Sequence, residues 1–234
     1  STGTGGGIKL FCAGVDINTP DIANASRAMK ASEFKMCQEN GVTDITEALI
    51  GFDGIAIAQS SKVQGFNVTK EQLALAVAKE VPAADGKSLI ANPYKKWSDI
   101  SNNLPNREII VYGPPKSSGT RDSFEELVLQ SVFEKKAVYT DLFKKDEVAN
   151  KKYKAYSEIR TDGVFVESGE NDNLIVQKLT KNEAAVGIFG YSFLAENKDK
   201  VVGLSIDNVL PTVETIANSS YPVARSMYFY IKNQ

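Results

Sequence analysis

A chain of 234 residues with 42% hydrophobic and 24% charged residues is long enough for one large or two modest domains, with the composition of a globular protein rather than a disordered or fibrous one. A formal net charge of -2 and the absence of histidine argue against a nucleic-acid surface, exclude Ser-His-Asp and Cys-His catalysis, and remove the commonest zinc ligand. No apolar run approaches membrane-spanning length, and the Gly-rich opening lacks the basic and apolar regions of a signal peptide, so any targeting segment is expected to have been removed.

The opening Gly3-Thr4-Gly5-Gly6-Gly7 leads into Ile8, Leu10 and Phe11, which predicts a Gly/Thr-to-helix junction and a short apolar helix ending at Gly14. It lacks the Gly-Lys-Ser/Thr of a Walker loop, and such a start also suits a frayed terminus. Cys12 and Cys37 form no CxxC pattern, and their spacing leaves two thiols or one disulfide open. Asp21 to Ala25 reads as a strand running into Ser26 and Arg27, and Ser32 to Asn40 as a helix capped by Ser32 and closed by Gly41. A lone arginine such as Arg27 usually serves a surface salt bridge. Ile45 to Ile50 is followed by an apolar strand, Phe52 to Ala58, interrupted by Asp53. A carboxylate there needs a partner, for which Arg27 or a proton on a bound anion is expected.

From Ser60 a polar connector leads to a helix that Thr69 caps and that carries Leu73, Leu75, Val77 and Ala78. Trp97 is expected in the core. The strand Arg107 to Tyr112 and the breaker Gly113-Pro114-Pro115 precede a helix carrying Glu125, Leu127, Val128, Val132 and Phe133. Its start, Ser118 to Arg121, reads either as a plain N-cap or as an anion seat. The seat would use partnerless backbone N–H groups at the positive dipole end, the Ser118 and Thr120 hydroxyls, close backbone approach at Gly119 and the Arg121 guanidinium. The lysine-rich span 135–154 predicts solvated helices. A strand and turn over 164–173, with Asn171 or Asp172 as cap, lead to a helix over Leu174 to Leu179. A buried strand over Ala185 to Gly190, a helix from Tyr191, and strands over 201–206 and 226–231 complete the chain. Alternating strands and helices predict an α/β protein with a largely parallel sheet. Crossings near Ser60 and Tyr191 predict two lobes, 1–59 with 192–234 and 60–191, whose anion-seat candidates face a common cleft.

Thr4-Gly5-Gly6-Gly7-Ile8-Lys9, Asp21-Ile22-Ala23-Asn24-Ala25-Ser26-Arg27, Phe52-Asp53-Gly54-Ile55-Ala56, Ser118-Gly119-Thr120-Arg121-Asp122 and Gly187-Ile188-Phe189-Gly190-Tyr191 stand in an order and spacing that resemble one family. The chain resembles, over nearly its whole length, the phosphate-binding proteins of ABC-type phosphate importers. The resemblance implies a type II periplasmic-binding-protein fold, with two hinged lobes, each a mostly parallel sheet flanked by helices, and inorganic phosphate in the cleft between them. It further implies ABC-type permease subunits as partners, a periplasmic or extracytoplasmic location, a monomer that binds no nucleic acid, cofactor or metal, and a Cys12–Cys37 disulfide. Position by position, Thr4 matches a hydroxyl ligand extended by the amides from Gly5 onward, and Ser118, Gly119 and Thr120 match hydroxyl and N–H contacts. Ser26, Arg27, Asp53 and Arg121 complete the expected ligand-binding set.

Departures from the family pattern qualify this expectation. The family's opening strand with its phosphate loop, and the stretch beyond its closing strand, have no counterpart here, so a truncated chain is expected. Some relatives carry aspartate where Arg27 stands and arginine where Pro114 stands; here Arg27 and Arg121 are expected to supply the positive charge. Asp53 is the expected acceptor for the proton that phosphate, unlike sulfate, still carries at neutral pH. If Asp53 only neutralised Arg27, sulfate or a phosphonate would be an equal ligand. A phosphate-ester hydrolase using Ser118 or Thr120 is the remaining alternative, with no base in these motifs to support it.

Overall fold

The computed structural model describes residues 3–145, 158–169 and 171–234. Its contacts divide the chain into two compact units, Ser1–Asp53 with Ala224–Gln234, and Gly54–Val223. These borders differ from the crossings expected near Ser60 and Tyr191. The cause is the strand Ile45–Ser60, whose second half pairs with strands built from residues 186–203. Of the lysine-rich span, residues 146–154 lie outside the described residues.

The first unit contains α1 (Gly3–Phe11), β1 (Ile22–Ala25), α2 (Ala31–Glu39), the first half of β2 (Ile45–Ser60), and β11 (Ala224–Lys232). β11 lies between β1 and β2 in the strand order. It pairs antiparallel with β1, in a register that sets Ala25 opposite Tyr228 and Ile22 opposite Ile231. β1 alternates exposed and buried residues, and its small inward Ala23 and Ala25 share a buried cluster with Ile8, Phe11, Val42 and Tyr230. Cys12 and Cys37, both buried there, form a disulfide across 25 residues of sequence, Cα atoms 4.3 Å apart, and so fasten α1 to α2. Tyr230 Oη donates to Glu47 Oε2 at 2.7 Å and accepts from the Met29 N–H at 2.6 Å; burial, then the bond to Glu47, pushes its phenol up to about 12.

Helix α2 starts one residue earlier than expected and Ser32 does not cap it. Lys30 is the extended cap residue, and its N–H is taken by the Glu33 carboxylate at 2.9 Å. An acid at the third helical position thus does what a capping hydroxyl would. The turn after α2 needs a glycine, since Gly41 sits at φ +82°.

The second unit begins with the rest of β2 and continues through β3 (Asn67–Val68), α3 (Lys70–Val77), β4 (Glu80–Pro82), β5 (Leu89–Ala91), α4 (Trp97–Ile100) and β6 (Val111–Gly113). Next comes a helical rod made of α5 (Gly119–Phe124), a π-helical turn over Glu125–Gln130 and α6 (Ser131–Phe133). The remaining elements are α7 (Ala137–Lys145), β7 (Phe165–Glu167), α8 (Asp172–Lys181), β8 (Val186–Gly190), α9 (Tyr191–Glu196), β9 (Val201–Gly203), β10 (Ser205–Ile206) and α10 (Val213–Ala217). Thr69 caps α3 in a reciprocal box with Gln72, as expected.

The sheet of this unit is mixed. β6 pairs parallel with both β7 and β8, which matches the expectation from alternating elements. β2, the strand by which the chain enters the unit, runs antiparallel to β8 and to β9. In the first unit, the β1–β11 pair is antiparallel as well. α8 lies against β8 where Gly187 leaves no room for a side chain: a Cβ would stand 2.6 Å from Ile175 Cγ2 and 2.9 Å from Leu179 Cδ1. That approach closes a core of Ala56, Ala58, Ile175, Leu179 and Phe189, and it leaves the carboxyl ends of the parallel strands β6, β7 and β8 open to the loops that follow them.

Candidate functional site

The carboxyl end of β6 feeds the loop Pro114–Ser117 and then α5. Ser118 has the extended geometry of a cap residue, its Oγ accepts the Thr120 N–H at 3.2 Å, and its own N–H donates to Pro115 O at 3.0 Å. Gly119 is exposed with open space where a Cβ would be. The cap and seat readings of this stretch are therefore compatible, because capping uses one lone pair of Ser118 and leaves the hydroxyl hydrogen to donate.

Arg121 is placed differently from an outward guanidinium fork. It is 2% exposed and lies over the Phe165 ring at 4.7 Å. Its Nε–H donates to Glu125 Oε1 at 2.6 Å, and Nη1 reaches Pro114 O at 3.2 Å and Glu167 Oε1 at 3.5 Å. The guanidinium braces the loop Pro114–Ser117 from beneath, and two carboxylates already match its charge.

In the first unit, Thr4 and Ser26 come together. Their hydroxyl oxygens are 2.8 Å apart, and Thr4 Oγ1 also accepts the Ser26 N–H at 3.0 Å. Gly5 lies beside them, where a Cβ would be 3.7 Å from Arg27 Nη2. Arg27 forms a two-pronged pair with Glu33, at 2.9 and 2.8 Å. The hydrogen bonds from Arg27, against the opposing effect of burial, hold the Glu33 carboxyl below the usual carboxylate value of 4.5. A lowered carboxylate stabilises the fold above its unfolded value, and the contribution disappears as pH falls through the folded one. Urea melts are therefore expected to show stability falling below pH 4.5, with a shallower fall in Glu33→Gln. An unchanged slope in that variant would count against the pair.

Asp53 does not pair with Arg27. Its Oδ2 meets Arg225 Nη2 at 3.4 Å. The strand order explains the choice: Asp53 lies on β2 and Arg225 on the neighbouring β11, whereas Arg27 follows β1 on the far side of β11. Among the described residues no hydrogen bond or ion pair joins Asp53 to Thr4, Ser26 or Arg27.

The structure thus assembles Thr4, Gly5, Ser26 and Arg27 in one unit, and Ser118, Gly119, Thr120 and Arg121 in the other. The neutralising partners Glu33, Glu125, Glu167 and Arg225 were not part of the expected set. Glu125 stands four residues after Arg121, a helical spacing that signals a pair, and Glu33 is marked by its place in the first turn of α2. Glu167 and Arg225 are brought in only by strand pairing. A groove in the second unit lined by Leu194, Val201, Leu210, Pro211 and Val213 holds none of the candidate residues.

The family model of the PBP superfamily domain matches residues 1–234. The chain belongs to the PBP superfamily. This PBP-superfamily chain is 30% identical over 239 residues to Protein SphX of Synechococcus elongatus, covering 100% of itself and 58% of that protein. It is also 30% identical over 237 residues to Phosphate-binding protein PstS of Staphylococcus saprophyticus, covering 98% of itself and 59% of the relative. It therefore spans less than two thirds of the length of these relatives. Among solved structures, it superposes on a possible phosphate binding protein from Planctomyces limnophilus with a TM-score of 0.71 at 27% identity, covering 99% of this chain and 69% of the other. An ABC-type phosphate transport receptor from Vibrio cholerae shares the fold, with a TM-score of 0.63 at 20% identity over 100% of this chain and 74% of that one. The α/β periplasmic-binding-protein fold expected from the motifs is therefore the fold of this chain.

Proposed function

We propose that the chain is the binding part of an extracytoplasmic receptor for inorganic phosphate that hands its ligand to the permease subunits of an ABC importer. The observation that carries the reading is the hydroxyl and amide chemistry at two helix starts, Thr4 with Ser26 at α1 and Ser118 to Thr120 at α5, in a chain whose relatives include proteins named for phosphate binding. Because Glu33 and Glu125 already pair with Arg27 and Arg121, recognition in this reading rests on hydrogen bonds more than on net charge. A desolvated oxyanion satisfied by oriented donors needs no surplus cation. The disulfide suits an oxidising compartment, and among the described residues no helix is long and apolar enough to cross a membrane. The protein acts as a monomer and as a carrier, with no catalytic step.

Titration calorimetry on the full-length protein with phosphate and with sulfate at neutral pH tests this. Phosphate is expected to give saturable heat, and Ser118→Ala and Thr4→Val are each expected to weaken binding by roughly tenfold, the worth of one hydrogen bond to a charged group. Absence of phosphate heat would end the proposal. A second reading, an unselective receptor for sulfate or a phosphonate, is favoured by the Arg225 contact that occupies Asp53. Asp53→Asn separates the two, because only a site that reads the phosphate proton loses its preference over sulfate.

A further inference from the structure

Two buried N–H donors in the second unit have no acceptor, and both belong to residues that touch one aromatic ring. Trp97 is fully buried and its Nε1–H is unpartnered; Arg107 Nε–H is buried and unpartnered as well. Phe66 meets Trp97 edge-on with ring centroids 5.2 Å apart, and the Arg107 guanidinium lies over the same ring at 4.9 Å.

The main chain sets up this arrangement. The Trp97 N–H donates to Arg107 O at 3.0 Å, and Lys96 bridges antiparallel to Glu108. Residues 97 and 107 therefore stand opposite each other, and their side chains leave the ladder on one side. Arg107 Nη2 donates to Oε1 of the fully buried Gln59 at 2.8 Å, and Gln59 Nε2 donates onward to Val63 O at 2.9 Å, which fixes the amide. Among the described residues no carboxylate pairs with Arg107, and burial works against its charge.

Unmatched donors around an uncompensated cation call for a ligand that accepts without donating and carries negative charge. Two N–H groups cannot satisfy the many lone pairs of a tetrahedral oxyanion, but they suit a single-atom acceptor. We propose that Trp97 Nε1–H and Arg107 Nε–H hold a monatomic halide, chloride in ordinary solution, beside Phe66. This site is separate from the residues assigned to phosphate.

Trp97 is the single tryptophan of the chain, so intrinsic fluorescence reads the site directly. Full-length protein, with and without saturating phosphate, would be titrated with sodium iodide against sodium gluconate at constant ionic strength, then back-titrated with chloride. The expected result is quenching that saturates, is reversed by chloride, is indifferent to phosphate, and is weakened about tenfold or more in Arg107→Gln. Quenching that is absent or linear in iodide overturns the proposal, since the donors would then face only water. Loss of the response on adding phosphate, or an unchanged saturable response in folded Arg107→Gln, overturns it equally. Should that variant not fold, saturation and chloride competition in the unmutated protein decide the matter.

Discussion

Replacing Arg121 with methionine is expected to lower the unfolding free energy by about 2–3 kcal/mol, somewhat less than the 3–5 kcal/mol typical of a fully buried pair. The side chain is almost wholly enclosed, and the substitution leaves Glu125 and Glu167 without their cation. Water screens part of that loss, because those carboxylate side chains are 26% and 48% exposed. It also removes the donor to Pro114 O and the stacking on Phe165. In a chain of this length the midpoint of thermal unfolding should fall by roughly 5–10 °C. Lysine should not restore it, since an ammonium cannot serve Glu125, Pro114 and the ring in one plane. Calorimetry of Arg121→Met and Arg121→Lys checks this, read together with phosphate titration. A variant of unchanged stability that had lost phosphate binding would make Arg121 a ligand and not a brace.

Opening the Cys12–Cys37 bridge should cost about 3–4 kcal/mol by the loop-entropy argument for a ring of this size. Both sulfurs are buried, and the bridge fastens two helices that are otherwise held by few shared contacts with a small sheet. Urea melts of the Cys12→Ser, Cys37→Ser double variant, with the oxidised protein as reference, are the measurement. The loss should appear in the transition of the first unit and leave that of the second in place. A change below about 1 kcal/mol would show that the core of Ile8, Phe11 and Tyr230 holds the unit without it.

The readability of the fold varied with the range of the forces involved. Thr69 capping α3, Ser118 capping α5 and the glycine after α2 were legible because each is a contact between near neighbours. The strand over 107–112 was read too early: only Val111–Gly113 pairs, since pairing depends on Phe165 and Val186, which are distant in sequence. The same limit applies at the candidate site. The residue types of Thr4, Ser26 and Ser118 pointed to hydroxyl donors, whereas the partner of Asp53 was fixed by the order of β1, β11 and β2. The single unbroken β2 was also hidden, because its first half is largely exposed and its second half fully buried, so no one period runs through it.

The insertion of β11 between β1 and β2 has a consequence for biogenesis. Residues Gly54–Val223 separate β11 from the rest of its unit, so a nascent chain can build α1, α2 and their covalent bridge early but cannot complete their sheet. Until β11 is synthesised and slots in, the inner edges of β1 and β2 remain unpaired templates for other chains. Synthesis of the central strand, not of the helices, then sets when the first unit becomes safe from aggregation, and the intervening unit has time to fold first.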